Sequence, residues 1–339
     1  MRTLIILQLF IVALLVVYIS YVSFFPRTHV SIAPIQKVTT VEYATGDLEY
    51  FFEFTPGVRD DQVKPGWLDD YELINTINSD TLNERYEYAT TTPPETYRII
   101  TLGDSWTYGQ FVSTSDNFSE KLENLLNERL LCSAIRNFEV INLGMPNYDI
   151  AYAAERFKIR GRKYNPDIVL WFLIPNDFTE ITDVFRKLYN DVHAALKDLP
   201  DNQEYDEIQG FKGHRVSSGD VHEAMVAFTA LEQMHTLYTP TEILTYQFSA
   251  FDTFQNYFPG PTIFYYVPKY LGYFPEIISR LSSYADTNSN IELVASEFQW
   301  EKDFSLPDQH PSPKGHARIA SEYFDYLLKH HLTDCVVRD

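Results

Sequence analysis

Five short apolar runs punctuate the chain from residue 97 onward: YRIITL (97–102), FEVINL (138–143), DIVLWFLI (167–174), TIFYYV (262–267) and IELVAS (291–296). They are rich in β-branched residues and apolar at successive rather than alternate positions, which suits strands of a parallel sheet covered on both faces. Between them, helical spacing runs over 116–131, 149–163, 274–285 and 314–331. In the last of these, Ile319, Tyr323, Phe324, Leu327 and Leu328 recur on one face. Strand and helix signals in alternation predict an α/β layer fold.

Three stretches break the alternation. Residues 178–260 are far longer than an ordinary strand-to-helix connection, and an insertion of that size reads as a lid or binding element. It carries the helix-like HEAMVAFTALEQMHTLY and the polar DLPDNQEYDEIQGFKGHRVSSGD. Residues 28–96 read as a stalk and lead-in, in which VTTVEYA and LEYFFEF resemble short strands while TPG, KPG and TTTPPE supply turns. No chemistry is visible there. Thr3 to Phe25 is almost unbroken apolar sequence with Gln8 and Ser20 among its few polar members. At about 1.5 Å per residue such a helix spans a hydrocarbon core of roughly 30 Å. Tyr18, Tyr21, Phe24 and Phe25 crowd its end, where a cleaved signal would place small residues, so the segment reads as an uncleaved anchor. Arg2 before it and Arg27 and Lys37 after it nearly balance the positive-inside rule. A single anchor followed by one large acidic domain is expected to carry that domain outside the cytoplasm. The organisation expected is an anchor at 1–27, a stalk at 28–96 and one domain at 97–339 with its insertion at 178–260.

Composition sharpens this by exclusion. With 45% hydrophobic and 22% charged residues, the chain is that of a folded protein. Acidic residues outnumber basic ones by 47 to 27 with no Lys/Arg cluster, so nucleic acid is excluded as a partner. Two cysteines cannot make a zinc site, and His193, His214, His222 and His235 show no metal-ligand spacing. No metal and no organic cofactor is expected.

In a parallel α/β sheet, ligands bind outside the carboxyl ends of the strands, and the informative residues fall there. Ser105 follows the first strand, Gly144 the second, Asn176 the third and His310 the fifth. A serine hydroxyl needs a base to become a nucleophile, and its acyl intermediate needs donors for the developing oxyanion. His310 is the candidate base and Asp308 the candidate to orient its ring. The candidate donors are the backbone N–H groups of Ser105 and Gly144 and the side-chain amide of Asn176. Gly144 also permits a close backbone approach. Asp104 and Asp177 adjoin these residues and are read as fixing their loops by hydrogen bonds. Trp106 and Tyr108 either line the acyl or sugar pocket or pack against neighbouring loops. His316 is read as structural. Taken alone, Gly103-Asp104-Ser105 would be a strand-to-helix turn; its companions make it a candidate nucleophile.

The constellation resembles the SGNH or GDSL hydrolase family over residues 97–331. The matching pieces, in the family's order, are GDSWTYG, NLGMPNYD, PND and DQHPSPKGHARIA. The resemblance implies a flavodoxin-like three-layer α/β/α sandwich with a five-stranded parallel sheet. It makes Ser105 the nucleophile, Gly144 and Asn176 the rest of the oxyanion hole, and Asp308 with His310 the rest of the triad. GDSWTYG lacks a glycine two residues after the serine, so it is not the nucleophile elbow of α/β-hydrolases. Asp308 precedes His310 by two residues where the family often has three. In INSDTLNERYEY, Thr81 and Asn83 stand where some members carry glycine and arginine, and no function is carried onto them.

The activity implied is hydrolysis of carboxylic esters through an acyl-enzyme, with an acylated glycan or lipid as substrate and acetate on an envelope glycan as the leading acyl ester. An O-acetyltransferase using the same triad and a non-catalytic glycan-binding or scaffolding protein are the alternatives. In a flavodoxin-like order the first and last helices share a face, and Cys132 and Cys335 lie just beyond their ends. They are either two unpaired thiols or, in an extracytoplasmic domain, a disulfide fastening those ends.

Overall fold

The run IVLWFL is buried at all six positions, a pattern that belongs to a central strand with a layer of helices on each side. A computed structural model describes residues 40–59, 73–196, 218–267, 275–296 and 304–338. The amino-terminal part contains β1 (Thr40–Thr45), β2 (Leu48–Phe54), β3 (Gly57–Arg59) and β4 (Asn75–Ile77). There follow β5 (Thr96–Leu102), the short α1 (Ser105–Tyr108), α2 (Phe118–Arg129), β6 (Leu130–Cys132), β7 (Asn137–Asn142), α3 (Ile150–Arg156) and β8 (Ile168–Leu173). Next come α4 (Thr182–Leu196), α5 (Ser218–Leu237) and α6 (Pro240–Tyr257). The remainder is β9 (Thr262–Tyr266), α7 (Pro275–Thr287), β10 (Ile291–Ala295), α8 (Pro313–His330) and β11 (Cys335–Val337).

Five strands form one parallel sheet in the order β10-β9-β8-β5-β7. Counted along the chain this is the 2-1-3-4-5 order of a flavodoxin-like sheet, whose switch point lies between the first and third strands, here β5 and β8. Side chains alternate across it. Leu170 and Phe172 meet Leu122, Leu126, Phe324 and Leu327 of α2 and α8. Trp171 and Leu173 face the other way, into a core with Ala153, Phe251, Phe254 and Leu281 of α3, α6 and α7.

The stretch read as a single insertion at 178–260 divides in two. Helices α4 and α5 pack on each other around Ile181, Met234 and Ile243. Helix α6 instead belongs to the layer: Phe251 and Phe254 stack edge-on against Trp171 at 5.0 and 4.9 Å. Its aromatic face covers β8 and β9, so the excess over an ordinary crossover ends near residue 239.

The segment read as a stalk also differs from expectation. β1 and β2 form an antiparallel hairpin, and LEYFFEF is mostly buried rather than alternating. Phe51 and Phe52 pack on Tyr148 and Tyr152 at the start of α3. Buried Glu53 accepts hydrogen bonds from Arg156 Nη1 at 2.7 Å and Arg160 Nη2 at 2.6 Å. The hairpin is thereby fastened to the α/β body by an apolar cluster and an ion pair. The apolar span at residues 3–25 lies outside the described residues. Among those described, no helix is long and apolar enough to cross a membrane.

Helices α2 and α8 lie side by side, and the strands that follow them, β6 and β11, pair antiparallel with Cys132 opposite Cys335. The two cysteines form a disulfide. It clamps the ends of the first and last helices, the arrangement that the shared face implies.

Candidate active site

Strand β5 runs into Gly103, which adopts φ 147°. A Cβ there would come within 2.2 Å of Thr107 Oγ1 and 2.8 Å of the Phe172 carbonyl, so only glycine allows β5 to turn directly into α1. Asp104 caps that turn, its Oδ1 accepting the Trp106 N–H at 2.9 Å. Ser105 opens the helix, and its N–H is one of the first-turn donors that a helix leaves without an internal acceptor.

His310 reaches this serine from the loop that leads into α8. Its Nε2 lies 2.8 Å from Ser105 Oγ and its Nδ1 2.8 Å from Asp308 Oδ2. An ionised carboxylate only accepts, so Nδ1 carries the proton and the lone pair of Nε2 faces the serine hydroxyl. Gln309, between the two residues, is in the left-handed region at φ 75°. That reversal brings Asp308 beside the ring across a two-residue spacing, and Asp308 Oδ1 also accepts the His310 N–H at 3.2 Å. The turn is closed by Leu306 N–H on the His310 carbonyl at 2.7 Å. The side chains of His310 and Asp308 keep 18% and 26% exposure, so the site is open to a solute.

The two neighbouring aspartates hold loops. Besides capping α1, Asp104 presents Oδ2 at 3.4 Å from Ser105 Oγ, farther than the imidazole Nε2 at 2.8 Å. Burial pushes its carboxyl up to about 6. Asp177 Oδ2 accepts the Ile174 N–H at 2.8 Å and so fixes the turn after β8. Burial, and then the charge of Asp104, push its carboxyl well above the usual range.

Gly144 makes the close approach that its size permits, but to the helix behind the serine. A Cβ there would lie 2.2 Å from Tyr108 N and 2.5 Å from Thr107 C. Its N–H donates to Asn142 Oδ1 at 2.8 Å. The Asn142 amide in turn donates to the Thr107 carbonyl at 2.9 Å, while its backbone N–H bonds buried Glu84 at 2.6 Å. Asn142 is therefore a staple between the loop after β7 and α1, and it occupies the Gly144 donor. Asn176 follows β8, next to β5 in the sheet; its Oδ1 is buried without a hydrogen-bond partner. The structure thus brings Ser105, His310 and Asp308 into direct contact. Among the described residues, neither the Ser105 N–H nor the Asn176 side-chain amide meets an acceptor within the protein.

Trp106 and Tyr108 resolve toward packing: Trp106 stacks on Phe172 at 5.7 Å and Tyr108 lies on Phe54 at 5.2 Å, both buried. His316 is fully buried, its Nδ1 accepting the Phe118 N–H at 3.2 Å. Burial pushes it down to about 3, which keeps it neutral and structural.

Sequence reasoning passed over Asn142 and carried no function onto the lead-in residue Asn83. The Asn83 amide donates to the Tyr108 carbonyl at 2.7 Å, and its Oδ1 accepts Thr114 Oγ1 at 2.5 Å. The available signal was an asparagine at the end of an apolar run, FEVIN, where a polar side chain needs a buried partner. Among the described residues, no group of three or more His, Cys, Asp or Glu side chains is placed to hold a metal.

No family model matches the chain, and no curated protein matches it. Solved structures similar to it include a protein described as lipolytic and of the G-D-S-L family from Desulfitobacterium hafniense, 14% identical, with 67% of this chain and 98% of that chain covered and a TM-score of 0.35. A family 3 carbohydrate esterase from Clostridium thermocellum is 15% identical over 69% and 96% of the two chains, with a TM-score of 0.37. A psychrotrophic esterase from Pseudoalteromonas is 16% identical over 68% and 97%, also with a TM-score of 0.37. Likeness at this level assigns no residue a role; the resemblance to the SGNH or GDSL family rests on the four motifs and on the contact of Ser105, His310 and Asp308.

Proposed function

We propose that the chain is a serine hydrolase that cleaves carboxylic esters through an acyl-enzyme. The observation that carries this is the continuous hydrogen-bonded line from Ser105 Oγ through the His310 ring to Asp308, with both links at 2.8 Å. In the first half-reaction, Ser105 Oγ bonds to the ester carbonyl carbon as its proton passes to His310 Nε2. The carbonyl oxygen becomes an oxyanion facing the Ser105 N–H and the Asn176 amide, and Asp308 stabilises the imidazolium. The tetrahedral adduct then expels the alcohol, which takes the proton from Nε2. Water repeats the sequence on the acyl-enzyme, losing its proton to Nε2, and releases the acid with Ser105 restored. For Gly144 to join the oxyanion hole, its N–H must turn from Asn142, so we assign it the lesser share.

The finer reading is a short acyl ester, acetate on an envelope glycan, with the protein held by residues 3–25 and its domain outside the cytoplasm. The Cys132–Cys335 disulfide supports that address, because such bonds persist in oxidising compartments. The test is turnover of an acyl-ester panel by the full chain in detergent, beside Ser105→Ala and His310→Ala. Each substitution is expected to lower kcat by at least about a hundredfold. Undiminished turnover in either variant removes the proposed nucleophile or base. Adding a glycan acceptor and measuring acylated product against free acid separates hydrolysis from transfer.

A further inference from the structure

Phe111 lies outside the triad and touches it. Its ring centroid is 5.7 Å from that of His310, with the two planes at 84°. Its backbone has φ 63°, in the left-handed region. A bulky side chain there costs conformational energy and persists only where the surroundings over-determine it. They do so from both sides. Within the loop, Gln110 N–H bonds the Ser105 carbonyl at 3.0 Å and Val112 N–H the Gly109 carbonyl at 3.3 Å. From the lead-in, the Asn75 amide holds the Val112 carbonyl at 2.9 Å and Ile74 N–H holds Ser113 Oγ at 3.1 Å. The loop that carries Phe111 is thus tied to the nucleophile's own helix at one end and to β4 at the other. The residue is left 7% exposed, with its ring against the imidazole.

A glycine at this position would take the same backbone without cost, so the retained phenyl ring asks for a use. We infer that Phe111 is a positioning residue for His310: its ring fixes the imidazole so that Nε2 stays on Ser105 Oγ while Nδ1 stays on Asp308. This rests on the serine-hydrolase reading. Among the described residues, His310 is otherwise held through Ser105, Asp308 and its own backbone turn, none of which contacts the face that Phe111 meets. A perpendicular pair of rings restrains a tilt that two hydrogen bonds along one axis leave free. The lead-in segment acquires a part in catalysis by this route, because Ile74 and Asn75 hold the loop that holds the ring.

Two variants of the full chain in detergent separate positioning from mere packing. Phe111→Gly removes the ring and relieves the left-handed backbone; Phe111→Leu keeps bulk and backbone strain but loses the flat face. The readouts are kcat and KM on the best ester, the second-order rate at which a fluorophosphonate labels Ser105, and Tm. Positioning predicts that kcat and labelling fall roughly threefold to tenfold in both variants, the free-energy range of an aromatic pair expressed as a rate. KM should stay within about twofold, and the Gly variant should be at least as heat-stable as the Leu variant. Labelling of Phe111→Gly at the wild-type rate, or activity that tracks Tm across the two variants, overturns the inference and leaves the triad standing. If wild-type Ser105 itself does not label, the triad reading fails and the inference falls with it.

Discussion

Replacing Glu53 by glutamine isolates the ion pair that fastens the amino-terminal hairpin to the α/β body. The side chains of Glu53 and Arg156 are 3% and 1% exposed, and their closest atoms are 2.7 Å apart. Arg156 spends its other donors on the carbonyls of Leu143 at 3.1 Å and Thr81 at 2.7 Å, so it has no second anion to turn to among the described residues. Arg160 also bonds Glu53, but it is 26% exposed and has Asp80 as another partner, so losing Glu53 does not leave it buried without an anion as it leaves Arg156. Removing one member of a buried pair costs about 3–5 kcal/mol, because the other charge stays buried without its counterion. At roughly 2–4 °C per kcal/mol for a domain of this size, thermal unfolding by circular dichroism should move down by about 6–20 °C. The sign of its pH dependence follows as well. Burial raises the Glu53 carboxyl, but the Arg160 hydrogen bonds and the Arg156 charge outweigh it, and the net direction is down. A depressed carboxylate contributes stability that is present above its unfolded pKa and lost as pH falls through the folded one. Glu53→Gln should therefore differ most from wild type near neutrality and converge on it in acid. Joint replacement by methionine, Glu53→Met with Arg156→Met, should cost less than the sum of the single changes. A Glu53→Gln variant within about 1 kcal/mol of wild type at pH 7, or additive Met substitutions, would refute the reasoning.

The disulfide and two buried carboxyls give further checks. The disulfide spans 203 residues of sequence; chain entropy sets its contribution at about 5 kcal/mol as a ceiling, so Cys132→Ser with Cys335→Ser should unfold at markedly lower urea. Thiol counting on the denatured, unreduced protein should find none, and two free thiols would remove the bridge. Burial, foremost, raises the carboxyls of Glu123 and Glu180 to about 7 from their ordinary 4.5. The fold then favours their protonated forms, so this stability is full below the unfolded pKa and is lost as pH rises from about 4.5 to about 7. Tm should be higher at pH 5 than at pH 7.5, and a Tm that climbs across that interval would contradict the assignment.

The five strands and the helices of the sandwich were legible because their signal is local. An unbroken apolar run such as IVLWFL has no stable place except between two layers, and the face of α8 repeats with the helical turn. The residues that converge on the site were legible for a related reason: in a parallel sheet every strand delivers its carboxyl end to the same edge. Ser105, Asn176 and His310 could therefore be gathered from positions far apart in the chain. The same topology placed the two cysteines near each other but left open whether they pair; the folded arrangement decides for the disulfide.

What the sequence could not decide was which groups are already taken. Gly144 reads as an oxyanion donor until Asn142 is seen to hold its N–H, and Trp106 stays open between pocket wall and packing until Phe172 is found against it. Phe111 carries no pattern at all; only its left-handed backbone and its place on the His310 ring mark it. The hairpin at 40–54 looked like a stalk because the arginines that pair with Glu53 lie about a hundred residues later. Periodicity determines which way a side chain faces along its own element. Hydrogen-bond donors, buried charges and ring contacts are settled between elements, so only the folded arrangement could say that a lead-in without visible chemistry braces the catalytic edge.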